Sequence, residues 1–125
     1  MINWISISLI VYAVVSTPED WRNDYDRLLF QEFEAQIKRA DEFLLHLQRQ
    51  MNEYKKTHDK DLKARIQTEV DFTEPIVKRV VDRTNVELKR TDLDDIERYL
   101  YEKARDEATI LHKYFTALDN ELQKA

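Results

Sequence analysis

Apolar positions along this chain fall into two regimes that meet near Ser16. Residues 1–16 (MINWISISLIVYAVVS) carry no charged side chain, whereas charges appear in nearly every turn from Glu19 onward. In the charged part, apolar side chains recur in alternating steps of three and four. The first series is Trp21, Tyr25, Leu28 and Leu29, then Phe30, Phe33, Ile37, Ala40, Leu44, Leu47, Met51 and Tyr54. That spacing marks a helix seam sustained over more than three heptads, the pattern of helix-on-helix packing. A polar cluster at residues 55–61 ends it, with basic residues placed to complement a helix C-terminus.

A second series runs Leu62, Ile66, Val70, Thr73, Val77, Val80, Val81, Thr84 and Leu88, passing through Pro75 without losing phase. Pro75 lies two residues from both Thr73 and Val77 and so faces away from the seam. One helix kinked at Pro75 is expected; a break there, with Pro75 opening a new helix, is the alternative. The third series is Leu93, Ile96, Leu100, Ala104, Ala108, Leu111, Phe115, Leu118 and Leu122, widened by Tyr101, Ile110 and Tyr114.

Start signals frame the series. Thr17 with Pro18, Glu19 and Asp20 reads as an N-cap, a first-turn proline and a dipole complement. Thr91 with Asp94 three residues later reads as a second capping pair. Connections this short make neighbouring helices antiparallel. Folding about Thr91 brings Ile66 near Phe115 and Asp71 to the level of His112. The expected fold is therefore all-α: an antiparallel, coiled-coil-like three-helix bundle over residues 17–125, preceded by an apolar segment over residues 1–16. Helix one is expected to run about 40 residues, roughly 60 Å. Its first turns, carrying Trp21 and Tyr25, should project beyond the bundle. In dimensions the three helices resemble spectrin-like repeats and the N-terminal bundles of SNARE proteins, an analogy of size that rests on no shared motif.

Composition removes whole classes of function. The 125 residues contain no glycine and no cysteine. About 7% glycine, roughly nine residues, would be ordinary for this length. P-loops and dinucleotide fingerprints need glycine, and disulfides, thiolate nucleophiles and Cys-based metal sites need cysteine. The chain should also ask its backbone for nothing unusual. A formal net charge of −5 argues against nucleic acid as a partner.

No catalytic or cofactor-binding constellation emerges from the remaining residues. The serines Ser6, Ser8 and Ser16 all lie in the apolar segment with no histidine nearby in sequence. None of His46, His58 and His112 follows a glutamate by three, so the Glu-x-x-His pattern of di-iron bundles is missing. His46, Asp71 and His112 fall near one level but off the seam, which reads as three solvated side chains and no metal site. The acids Asp92, Asp94 and Asp95 lack EF-hand spacing and read as a complement to a helix N-terminus. The basic group Lys78, Arg79, Arg83, Lys89 and Arg90 is interleaved with acids and reads as a solvated helix face.

Three readings compete for residues 1–16. They form a buried strand or helix that needs a partner; or a secretory signal peptide cut before Thr17; or a short membrane anchor with Trp4 and Tyr12 at the interfaces. The first and third keep the chain cytoplasmic or at a membrane, and the second exports it. All three imply an apolar surface that this chain alone does not satisfy. The leading expectation is a non-enzymatic interaction or assembly protein docking to a protein partner, another copy or a membrane. Its contact residues would be Trp4, Ile7, Leu9, Val11, Tyr12, Trp21 and Tyr25, aromatic anchors in an apolar patch. The alternative is a secreted helical carrier of an apolar ligand, lacking residues 1–16 and opening around Phe30, Phe33, Val80 and Leu100.

Overall fold

The computed structural model describes residues 21–125, which form three α-helices: α1 (Asp24–Thr57), α2 (Lys60–Glu87) and α3 (Asp95–Lys124). Each packs against the other two, giving the antiparallel bundle that the three seams predict. The expectations for residues 1–16 and for a start at Thr17 lie outside the described residues.

Helix α1 is shorter than expected and begins later. Asn23, in extended backbone, caps it by accepting from the Asp26 amide at 2.8 Å. Such a cap satisfies one of the orphan donors of the first turn. The α1–α2 turn is only two residues long. His58 takes the left-handed conformation (φ 53°, ψ 32°), and its amide donates to the Tyr54 carbonyl at 2.7 Å. This corrects the expectation of an unremarkable backbone: a position that commonly holds glycine is filled here by histidine. Asp59 then caps α2, accepting from the amides of Asp61 and Leu62.

Helix α2 is continuous through Pro75, whose side chain is exposed, so the reading of one helix holds and a break does not. The start of α3 differs from the sequence expectation. Its N-cap is Asp94, not Thr91, and Asp94 forms a reciprocal capping box with Glu97 at 2.7 and 3.0 Å. A glutamate three residues after the cap can return the backbone hydrogen bond better than the shorter aspartate that follows Thr91. The later start moves the α2–α3 register. His112 Nε2 lies 3.3 Å from Glu74 Oε1, while Asp71 accepts from Gln67 at 2.8 Å. The expected pairing of Asp71 with His112 is thereby replaced.

The core follows the seams closely. Phe30, Leu44, Leu47 and Met51 of α1, Ile66 and Val70 of α2, and Leu111, Phe115 and Leu122 of α3 are all buried. Phe30, Phe33, Val80 and Leu100, the expected mouth of a ligand-binding interior, belong to this same packed core. Ile96 departs from the seam prediction and is 55% exposed.

Candidate binding surfaces

One end of the bundle holds the N-terminus of α1, the C-terminus of α2 and the N-terminus of α3. Chain direction alone forces these three termini together, and they are tied by buried ionic groups. The Asp26 side chain is fully buried and accepts from Tyr101 Oη at 2.6 Å, Arg90 Nη1 at 2.6 Å and Asn23 Nδ2 at 2.9 Å. Burial opposes ionisation of Asp26, but the hydrogen bonds from Arg90, Tyr101 and Asn23 outweigh it and hold the carboxyl below its ordinary value. Burial and the Asp26 carboxylate together push the Tyr101 phenol up, so it remains a donor. Arg90 also reaches Glu87 at 2.8 Å and Asp92 at 2.9 Å.

A second ionic tie holds the segment before α1. The Arg22 guanidinium spans Glu97 at 2.8 Å and Asp94 at 3.2 Å and also bonds the Asp92 carbonyl. Glu97, fully buried, resists ionisation through burial, yet the Asp94 backbone and Arg22 lower its pKa overall. Asp92, Asp94 and Asp95 therefore serve an ion pair, a cap and a first turn, as their reading as dipole complement expects. Arg90 departs from the solvated face assigned to it, because it is the hub of this network.

The structure separates the two expected contact residues that it describes. Trp21 is 7% exposed and packs tilted against Phe30 at 5.0 Å and edge-on to Tyr101 at 5.1 Å. Its expected projection is corrected: the Arg22 tie folds the segment back, and the indole seals the end of the core. Tyr25 is 56% exposed, with the Arg90 guanidinium 5.8 Å from its ring centroid. Trp4, Ile7, Leu9, Val11 and Tyr12 lie outside the described residues. The sequence pattern left Tyr25, Tyr99 and Tyr101 open as exposed contacts, of which Tyr99 is exposed and Tyr101 buried. It did not single out Leu28, Val86 and Ile96, which are also exposed at this end. Leu28 and Ile96 were counted toward seams. The signal that separates them is that each sits beside a better-phased neighbour, Leu29 and Leu100.

A second surface lies midway along α1 and α2. A groove of about 210 Å³ runs between the helices, with Ala40, Phe43, Phe72 and Ile76 on its walls and Arg39 and Arg79 at its rim. Phe72 is 72% exposed, the most open of the large apolar side chains among the described residues. No group of three or more His, Asp or Glu is spaced to hold a metal ion among the described residues, and His46 lies edge-on to Phe43 instead. No described helix is long and apolar enough to cross a membrane.

Comparison with known proteins places this architecture. The model of the family described as Mite allergen Blo t 5 matches residues 11–125. This chain belongs to the Blo t 5 mite allergen family. Mite allergen Der p 21.0101 of Dermatophagoides pteronyssinus is 39% identical over 95 residues, covering 76% of this chain and 68% of that protein. Mite allergen Lep d 5 of Lepidoglyphus destructor is 36% identical over 100 residues, covering 80% and 91%. Mite allergen Blo t 21 of Blomia tropicalis is 27% identical over 122 residues and covers 95% of each chain. These Blo t 5 family relatives are named as allergens, and none of the three names carries an enzymatic activity.

Proposed function

We propose that this chain is a non-enzymatic interaction protein that works through its exterior, and that the ionically tied end where α1 and α3 start and α2 stops, its latched end, associates with a second copy. The supporting observation is the distribution of exposed apolar side chains. Of the six large ones among the described residues, Tyr25, Leu28, Val86, Ile96 and Tyr99 all lie at the end where α1 starts, α2 stops and α3 starts. Exposed aromatic and aliphatic groups are the usual anchors of a protein interface, and here they concentrate at one end of the bundle. The ionic ties beneath them hold the three helix ends in one arrangement, which lowers the ordering cost of association.

Sedimentation equilibrium of the full chain over a wide concentration range tests this. Self-association that is lost in the Tyr25→Ser/Leu28→Ser variant, with helicity unchanged, is the expected result. A chain that stays monomeric at every concentration contradicts it. A second reading, a carrier of an apolar ligand, rests on the α1–α2 groove, because Phe30, Phe33, Val80 and Leu100 are buried in the hydrophobic core.

A further inference from the structure

The groove between α1 and α2 has a chemical polarity. Antiparallel packing, registered by Lys63 Nζ at 5.9 Å from the Tyr54 ring centroid, sets Arg39 of α1 across from Arg79 of α2. Phe43 lies four residues beyond Arg39 along α1, and Ile76 and Phe72 lie three and seven residues before Arg79 along α2. One end of the groove therefore carries two guanidinium groups and the other carries two phenyl rings. Arg39 and Arg79 are exposed, and neither makes an ion pair or hydrogen bond with another described residue. By contrast, Arg22, Arg27, Arg90 and Arg98 are each paired with carboxylates or carbonyls.

We infer that this groove binds a small amphipathic monocarboxylate, its head between Arg39 and Arg79 and its apolar body between Phe43 and Phe72. This rests on the carrier reading and gives it a ligand class. A guanidinium presents a planar fork matched to a carboxylate, and two of them at one end of the groove can both donate charge-assisted hydrogen bonds to a single carboxylate head. The phenyl walls offer an apolar face that a ring or short alkyl chain covers, removing exposed Phe72 from water. Length sets the upper bound. The seven steps from Gln36 to Phe43 and the seven from Phe72 to Arg79 each span about 10 Å at 1.5 Å per step. With about 210 Å³ the groove is smaller than the sites that hold drug-sized ligands, so the ligand is short.

Titration calorimetry of the full chain tests the inference with 3-phenylpropanoate and octanoate as the aromatic and aliphatic forms of the class. The uncharged 3-phenylpropan-1-ol, the cationic 3-phenylpropylamine and the long-chain hexadecanoate serve as comparisons. Saturable one-to-one binding of at least one short carboxylate is expected. The alcohol and the amine should bind about tenfold or more weakly than the matching acid, and so should the acid to the Arg39→Gln/Arg79→Gln variant. The Phe72→Ser variant should weaken the acid as well. These side chains are exposed, so unchanged circular dichroism is expected for both variants. Acid and alcohol bound equally would overturn the carboxylate assignment while leaving the carrier reading in place. Hexadecanoate bound more tightly than the short acids, with both variants indifferent, would overturn the groove as the site. No binding of any of the five probes would overturn the inference and the carrier reading together.

Discussion

A single carboxylate, Asp26, gathers donors from the segment before α1, the connection after α2 and the second turn of α3. Truncating a buried ionic group costs more than the net worth of its pair, because the partners are left desolvated. Asp26→Asn should therefore cost about 3 kcal/mol or more in chemical denaturation, and Tyr101→Phe about 1–2 kcal/mol. Glu107 of α3 presents the opposite case. It is 4% exposed, and burial, reinforced by Glu34 and Asp41 of α1 and Asp106 of α3 against the help of Lys103, pushes its carboxyl up to about 8. A raised carboxyl favours the folded state while protonated, so this contribution is complete below the ordinary 4.5 and is lost as pH rises through about 8. Asp26 and Glu97 are lowered, so their contribution is present above their ordinary values and is lost as pH falls through their lowered ones. Glu107→Gln should accordingly stabilise the chain by at least about 1 kcal/mol more at pH 8.5 than at pH 4.5, checked by urea unfolding at both values. Equal effects at the two pH values would contradict the assignment.

At the scale of the elements, the two connections show what the pattern of residues reveals and what it hides. Each of the three described helices was legible from its seam, and so was the passage of α2 through Pro75, because period and phase are properties of one helix at a time. The starts of α1 and α3 were not, because capping strength depends on what else the candidate residues touch. Thr91 and Asp94 both satisfy the local pattern. Asp94 prevails because Glu97 returns its hydrogen bond and Arg22, distant in sequence, braces both acids. Glu97→Ala removes the box and the brace together and should cost about 2–4 kcal/mol, with faster amide exchange in the first turns of both α1 and α3. At the other connection the left-handed His58 carries a conformational cost that glycine lacks. His58→Gly should raise stability by about 0.5–1 kcal/mol in thermal or urea unfolding; a loss would show that the imidazole, 5.8 Å from the Tyr54 ring, supplies more than the backbone costs.

For the molecule as a whole, the seams specify which side chains of the three described helices enter the core, and that is why the candidate surfaces were the least legible part. Burial is written into the sequence by period, whereas exposure of an apolar residue is only the failure of that period. Trp21 reads as exposed by position and is buried because Arg22 turns the chain back, while Leu28 and Ile96 read as buried by phase and are exposed at the latched end. The groove needs two helices in register before Arg39 and Arg79 become neighbours, so neither residue stood out alone. The chain is a Blo t 5 family bundle, and both surfaces proposed for binding lie outside its core, at one end and along one groove. The most direct test of self-association through the latched end is a concentration series of amide and methyl NMR spectra of the full chain. The account predicts concentration-dependent shifts centred on Tyr25, Leu28, Val86, Ile96 and Tyr99, with the Tyr54–Asp59 end unchanged. Shifts centred on the Tyr54–Asp59 end, or none at any concentration, would contradict it.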